Sequence, residues 1–336
     1  MSVTTQNIMI ETIAETGFTH KGDINYIKKM IELAVEAKMS FIKFQIILDV
    51  ESVYTKNSKI FEDLSSFKFS EDDWSEILSI ASSAGLKILA MPIDYKAVDL
   101  ISQNINIVDL IEVHSIALND VILLEKLSNL SIRFSLGVGG RTSSEIDFAI
   151  KYLGDNTDLL IAGFQSFPTN KSRANIGKLR TLDRYYPQKV GYADHTPFDV
   201  DDSDIILAAL GLGASFIEKH IILDAGDSNR PDYYSAIDKI GALKLQKNIS
   251  NFINYFGNDD INMLSVEEAK YLSRERKIVA AVKMLPNTKI QRPHLCYKDI
   301  GGSLSGIPQT MFENLIGMEI TKVIEKNDPI KLEDLK

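Results

Sequence analysis

KVGYADHTPFDVDDSDIILAALGLGASFIEKH, residues Lys189 to His220, is the stretch on which the fold turns. It opens on a short β-type run, Lys189 to His195, and closes on another, Ser215 to His220. Between them, from Asp201 to Leu210, apolar residues recur at helical spacing. Strand, helix and strand in so short a span make a βαβ unit, whose strands lie parallel. Both strands end on a histidine.

Upstream the same alternation repeats. Short runs occur at Ile8 to Glu15, Phe41 to Gln45, Lys87 to Pro92, Leu110 to Ser115, Ile132 to Gly137 and Leu160 to Gln165. Amphipathic stretches separate them, at Ile24 to Lys38, Ser70 to Ala84, Val121 to Leu127 and Ala174 to Tyr185, with a short one ending near Ser102. Thr142-Ser-Ser-Glu145 reads as a capping box opening one more helix. Eight βα units in series predict an α/β fold, a closed (β/α)₈ TIM barrel. An open doubly wound sheet is the alternative; the lack of an antiparallel break speaks for closure.

After Asp224 the pattern changes. A Gly/Asp/Pro loop leads to a helix over Lys239 to Phe256, and an acidic connector follows. From Ile278 the chain is β-rich and carries a weak internal echo, Lys283 to Ile290 against Lys322 to Ile330. The predicted organisation is a barrel domain over 1–260, a linker over 261–275 and a small domain over 276–336.

The 336 residues suit a barrel of about 250 residues plus an appendage. The formal net charge of -9, without a basic run, argues against nucleic-acid or anionic-membrane partners. A single cysteine, Cys296, permits no internal disulfide and fits a cytoplasmic protein. Met1 to Gln6 does not read as a signal peptide, and no apolar run approaches the ~18 residues of a membrane span.

In such barrels the active site lies at the C-terminal ends of the strands. Glu15 ends the first run, with His20 in the following loop. Lys43 and Gln45 end the second, and Glu112, His114 and Ser115 the fourth. Ser135 is near the end of the fifth, and Gln165 ends the sixth. Asp194 and His195 end the seventh, Glu218 and His220 the eighth. His195 and His220, on adjacent strands, could share one cation of the Zn, Mn, Fe or Co kind, or be hydrogen-bonded structural residues. His20 is a third candidate, as ligand or substrate contact. Lys43 inside the mouth requires an anion, either a ligand or a salt bridge to Glu15 or Glu218. His114 reads as a packed residue, and Gly137-Val-Gly-Gly140 as a tight turn or an anion cradle.

Ala14-Glu-Thr-Gly-Phe-Thr-His-Lys-Gly-Asp23, Ile42-Lys-Phe-Gln45, Gly191-Tyr-Ala-Asp-His-Thr196, Glu218-Lys-His-Ile-Ile-Leu-Asp224 and Pro231-Asp232 occur in that order. On these motifs the chain resembles the N-acetylneuraminate (sialic acid) synthase family, which includes the legionaminic and pseudaminic acid synthases. Its last 60 or so residues look like the SAF, or antifreeze-like, β-clip domain. The resemblance implies a transferase that condenses phosphoenolpyruvate with an open-chain N-acylated hexosamine to a nine-carbon 2-keto acid, releasing phosphate. It implies a divalent metal on His195 and His220, first of all manganese, with magnesium or cobalt as alternatives. Glu15 would orient the sugar or move a proton, making Glu15, His195 and His220 the catalytic set. Lys43, Ser115 and Ser135 would hold phosphoenolpyruvate. His20, Gln45, Gln165, Asp194 and Glu218 are expected to contact substrate. The family form is a dimer in which each small domain covers the partner's barrel, with surface polysaccharide assembly as its setting.

The chain departs from the family's pattern at several of these places. Glu112 stands where lysine is usual, Met91 for threonine and Ala193 for serine. Ala162, Gly163 and Ser166 replace histidine, cysteine and asparagine. Asp299 replaces the small domain's arginine, and Thr19 and Lys21 replace asparagines. The metal half is retained and the anion-binding half is rebuilt, with Arg133, Arg141 and Arg173 as candidate compensating cations and Glu112–Arg133 as a candidate pair. Two other readings follow: a metal-dependent aldolase or lyase that does not use phosphoenolpyruvate, and a non-catalytic carbohydrate-binding protein.

Overall fold

The computed structural model describes residues 9–163, 166–197, 203–224, 226–301 and 306–336. It divides into two compact units, Met1–Gly257 and Asn258–Lys336.

The first unit is a closed barrel. Its strands are β1 (Glu11–Glu15), β2 (Phe41–Ile46), β3 (Lys87–Pro92), β4 (Leu110–Val113), β5 (Phe134–Gly137), β6 (Thr157–Ala162), β7 (Lys189–Asp194) and β8 (Phe216–Ile221). Each pairs in parallel with the next, and β1 also pairs with β8, closing the ring. A two-residue strand, β9 (Ala236–Ile237), adds to β8. Closure excludes the open doubly wound alternative. The sixth strand lies earlier than the sequence suggests: β6 starts at Thr157, where a register shift between Phe134 and Ser135 accommodates it.

Side chains on a strand alternate between faces, and this period of two builds the barrel interior in layers. Ile13, Phe41, Leu110 and Phe216 belong to an apolar cluster inside the ring. Two residues further along each strand stand Glu15, Lys43, Glu112 and Glu218, all buried. Polar groups therefore lie directly above an apolar floor. The intervening residues Ala14, Ile42, Ile111 and Ile217 join the larger core between barrel and helices.

The helices follow the expected signals. Helix Glu71–Ser83 is capped by Ser70, whose hydroxyl accepts from Asp73 N while Asp73 accepts from Ser70 N. The Thr142 N–H donates to Glu145 at 2.9 Å, the Glu145 half of the expected capping box. Helix Lys239–Phe256 matches its predicted span.

The second unit contains helix Val266–Leu272, where the sequence suggests a linker. Its antiparallel pair is β10 (Lys277–Ala280) with β11 (Leu295–Lys298). The internal echo has a structural counterpart: Met284 and Ile324 pair antiparallel, and Asn287 and Asn327, forty residues apart, both take left-handed backbone. Ile278, Met284, Ile290, Ile320, Ile324 and Ile330 share its small core. No helix among the described residues is long and apolar enough to cross a membrane.

Candidate active site

At the C-terminal ends of the barrel strands a cavity of about 400 Å³ is walled by residues of the first unit. Glu15, Lys43, Gln45, Ser115, His195, Glu218 and His220, all expected from the sequence, lie on its wall. Their convergence follows from register: Glu15 stands opposite Lys43 on β2 and His220 on β8.

One ion cluster dominates the site. Lys43 Nζ lies 2.9 Å from Glu15 Oε2, 2.9 Å from Glu112 Oε1 and 2.9 Å from Glu218 Oε2. All four side chains are buried. Burial alone would lower the lysine's pKa, but Glu112, Glu15 and Glu218 together raise it well above its ordinary value. Burial pushes Glu218 up to about 8 against the pull of Lys43, and the charges of Glu112 and Glu15 add to the rise. Glu112 is also raised by burial. Glu15 differs: Lys43, His220 and the Gly17 N–H outweigh its burial and keep it below the usual carboxylate range. Its Oε1 accepts from Gly17 N at 2.9 Å and from Gln45 Nε2 at 3.2 Å.

The Glu112–Arg133 pairing does not form. Arg133 binds Asp158 at 3.0 Å on an exposed part of the barrel, and Arg141 binds Glu145 at 2.9 Å. Among the described residues no arginine lines the cavity, and Lys43 is its one lysine.

The two histidines meet as expected. The His195 and His220 rings have centroids 5.4 Å apart. Nδ1 of His220 is buried without a hydrogen-bond partner and lies 3.8 Å from Asp232 Oδ2. Imidazole nitrogens of this kind can bind a divalent ion, but among the described residues no three or more His, Cys, Asp or Glu side chains are gathered closely enough to hold one. Asp232 has left-handed backbone, φ 60°. Gly17, φ 49°, is required beside it: a Cβ there would lie 2.9 Å from Asp232 Oδ2 and 3.1 Å from His220 Nδ1. Phe167 packs edge-on over His195, ring centroids 4.3 Å apart. Neither Asp232 nor Phe167 stood out as a site residue in the sequence, because both sit on loops without periodicity. The Pro231-Asp232 motif was the one available signal.

Three expected contacts lie elsewhere. Asp194 faces away from the barrel axis, since Ala193 and His195 take the inward positions. It accepts from Thr196 N at 3.0 Å and pairs with the buried Lys219 at 2.8 Å, so it braces the loop after β7. His20 stacks on Phe69, centroids 4.8 Å apart, and its Nδ1 accepts from Gly22 N at 3.0 Å. Ser135 is in register with Glu112 but sealed from the cavity, its hydroxyl without a partner. Gln165 lies outside the described residues. His114 does line the cavity, and its Nδ1 accepts from Ile116 N at 3.1 Å.

Burial, with Arg230 nearby, lowers His20 to about 4. An unfolded histidine titrates near 6.5, so between these values the unfolded chain binds the extra proton. Stability should therefore fall as pH drops from about 6.5 to 4, by up to about 3 kcal/mol from this residue. Urea midpoints across that range should show a shallower acid limb in His20→Asn, which keeps an acceptor for Gly22. An unchanged limb would remove His20 as its source.

A sequence profile described as the NeuB family matches residues 30–260, more than half of the chain. The N,N'-diacetyllegionaminic acid synthase of Campylobacter jejuni is 26% identical over 338 residues, covering 95% of this chain and 98% of that protein. The mouse (Mus musculus) N-acetylneuraminate-9-phosphate synthase is 26% identical, covering 96% and 92%. Among solved structures, the N-acetylneuraminic acid (sialic acid) synthetase of Leptospira borgpetersenii, in complex with citrate, superposes with a TM-score of 0.72 at 24% identity. That match covers 79% of this chain and 91% of that one, and it supports the fold.

Proposed function

Because this chain belongs to the NeuB family, we propose that it is a transferase of the nonulosonic acid synthase type, joining phosphoenolpyruvate to an open-chain N-acylated hexosamine. The observation that carries this reading is the meeting of His195, His220, Asp232, Glu15 and Lys43 on one cavity wall. In the reaction, C3 of the enol attacks the sugar aldehyde and a carbon–carbon bond forms. Water adds at C2, and the bond from C2 to the phosphate oxygen breaks, leaving the 2-keto acid and inorganic phosphate.

His195 and His220 would hold a divalent metal, manganese first among the candidates, which when bound supplies Lewis acidity toward the aldehyde oxygen. Glu15, held below the usual carboxylate range, would orient a sugar hydroxyl or take a proton. Gln45 and the Gly17 N–H fix that carboxylate in place. Ser115 and Lys43 would meet the acidic groups of the donor. Phe167 packs its ring against that of His195.

A second reading, an aldolase using an unphosphorylated donor, is favoured by the engagement of Lys43 with three carboxylates. Thermal unfolding separates the two, because a ligand that binds the folded state raises its stability. Manganese alone should raise the midpoint, and phosphoenolpyruvate should raise it further with manganese present. A shift with metal only favours the aldolase. Phosphate release against a panel of N-acylated hexosamines then tests the full reaction; none with any sugar removes the synthase reading.

A further inference from the structure

We infer that Glu112 is the donor-selecting residue of this site, competing with a donor's phosphoryl group for Lys43. The inference rests on the reading that the donor's acidic end lies beside Lys43. Lys43 is the one lysine on the cavity wall, no arginine among the described residues joins it, and its ammonium already contacts three carboxylates. An ammonium has three N–H donors, so an arriving phosphoryl group must displace a carboxylate to reach it. Of the three, Glu15 is tied to Gly17 and Gln45, and Glu218 stands two residues before His220 on β8. Glu112 is the carboxylate whose other oxygen, Oε2, is buried with no partner.

The wall also makes room for it. A Cβ on Gly137 of β5 would lie 3.3 Å from Glu112 Oε1 and 2.9 Å from Ser115 N. The glycine thus leaves space for the carboxylate beside the serine expected to meet the donor. Like charges held close together in a buried site repel each other strongly, because little solvent screens them. A phosphorylated acid carries more of this penalty than an unphosphorylated 2-keto acid, whose single carboxylate brings one negative charge. Selection for the donor class is then a property of Glu112 and not of the metal half of the site.

Affinities for phosphoenolpyruvate and for pyruvate, measured by calorimetry on the full chain, on Glu112→Gln and on Glu112→Lys, test this. Both variants should bind phosphoenolpyruvate at least about tenfold more tightly than the parent, while pyruvate changes by no more than about threefold. Circular dichroism and unfolding midpoints establish that each variant is folded. Two variants are used because glutamine removes the charge at nearly constant shape, whereas lysine reverses it. Equal phosphoenolpyruvate affinity in the parent and both folded variants overturns the inference and leaves the synthase reading in place. Equal gains for both donors overturn selection. If none of the three chains binds phosphoenolpyruvate, the synthase reading falls and takes this inference with it.

Discussion

Replacing Lys43 with methionine should destabilise the barrel by about 3–5 kcal/mol, a large part of the 5–15 kcal/mol that holds a typical domain together. Glu15, Glu112 and Glu218 each lie 2.9 Å from the lysine and are shielded from water. Methionine occupies similar volume, so the packing loss is small. What is lost is the ammonium that contacts all three buried carboxylates, which then repel one another and lack solvent. Urea unfolding at neutral pH should show the deficit in its midpoint. The deficit should shrink as pH falls, because a protonated carboxyl no longer needs the lysine. A midpoint equal to the parent's at neutral pH would show that the cluster is solvated or rearranged. Because Glu218 is raised to about 8, part of this relief should already be present near neutrality.

Glu15→Gln should act chiefly on turnover. Its loss should lower turnover by about 10²–10⁴-fold, the range for a positioned acid–base group. Glutamine can still accept from the Gly17 N–H and has nearly the same shape. Because its surroundings hold Glu15 below the usual carboxylate range, its ionised form stabilises the fold at neutral pH, and removing that charge should lower the unfolding midpoint modestly. Steady-state kinetics beside the unfolding midpoint separates the two effects. Unaltered turnover would move the proton-handling role to another residue. A collapse in stability with turnover per folded molecule preserved would make Glu15 a structural anchor for Lys43.

Much of the site was legible because a strand repeats every two residues. Once β1, β2, β7 and β8 were recognised, Glu15, Lys43, His195, Glu218 and His220 had to point to the same end of the barrel. The same period sets the orientation of Asp194: it adjoins His195 and so faces the other way, toward Lys219. His20 misled for another reason. A histidine in a loop carries no face, and only the packing of Phe69 and Trp74 shows that its ring is sealed. Asp232 lay in the same blind region, on a loop where spacing has no meaning.

By itself the sequence determined the succession of eight strands and helices, the change to a β-rich unit near residue 278, and which strand ends carry ionisable groups. Those are local properties, set by periodicity and capping within a few residues. Only the tertiary structure decided who faces whom. Closure of β1 on β8 brings Glu218 and His220 to Glu15, and Lys43 meets carboxylates 28, 69 and 175 positions away along the chain. Charge pairing depends on distances in space, and no spacing along one strand encodes them. That is why Arg133 reads as the partner of Glu112 in the sequence while Lys43 holds it in the fold.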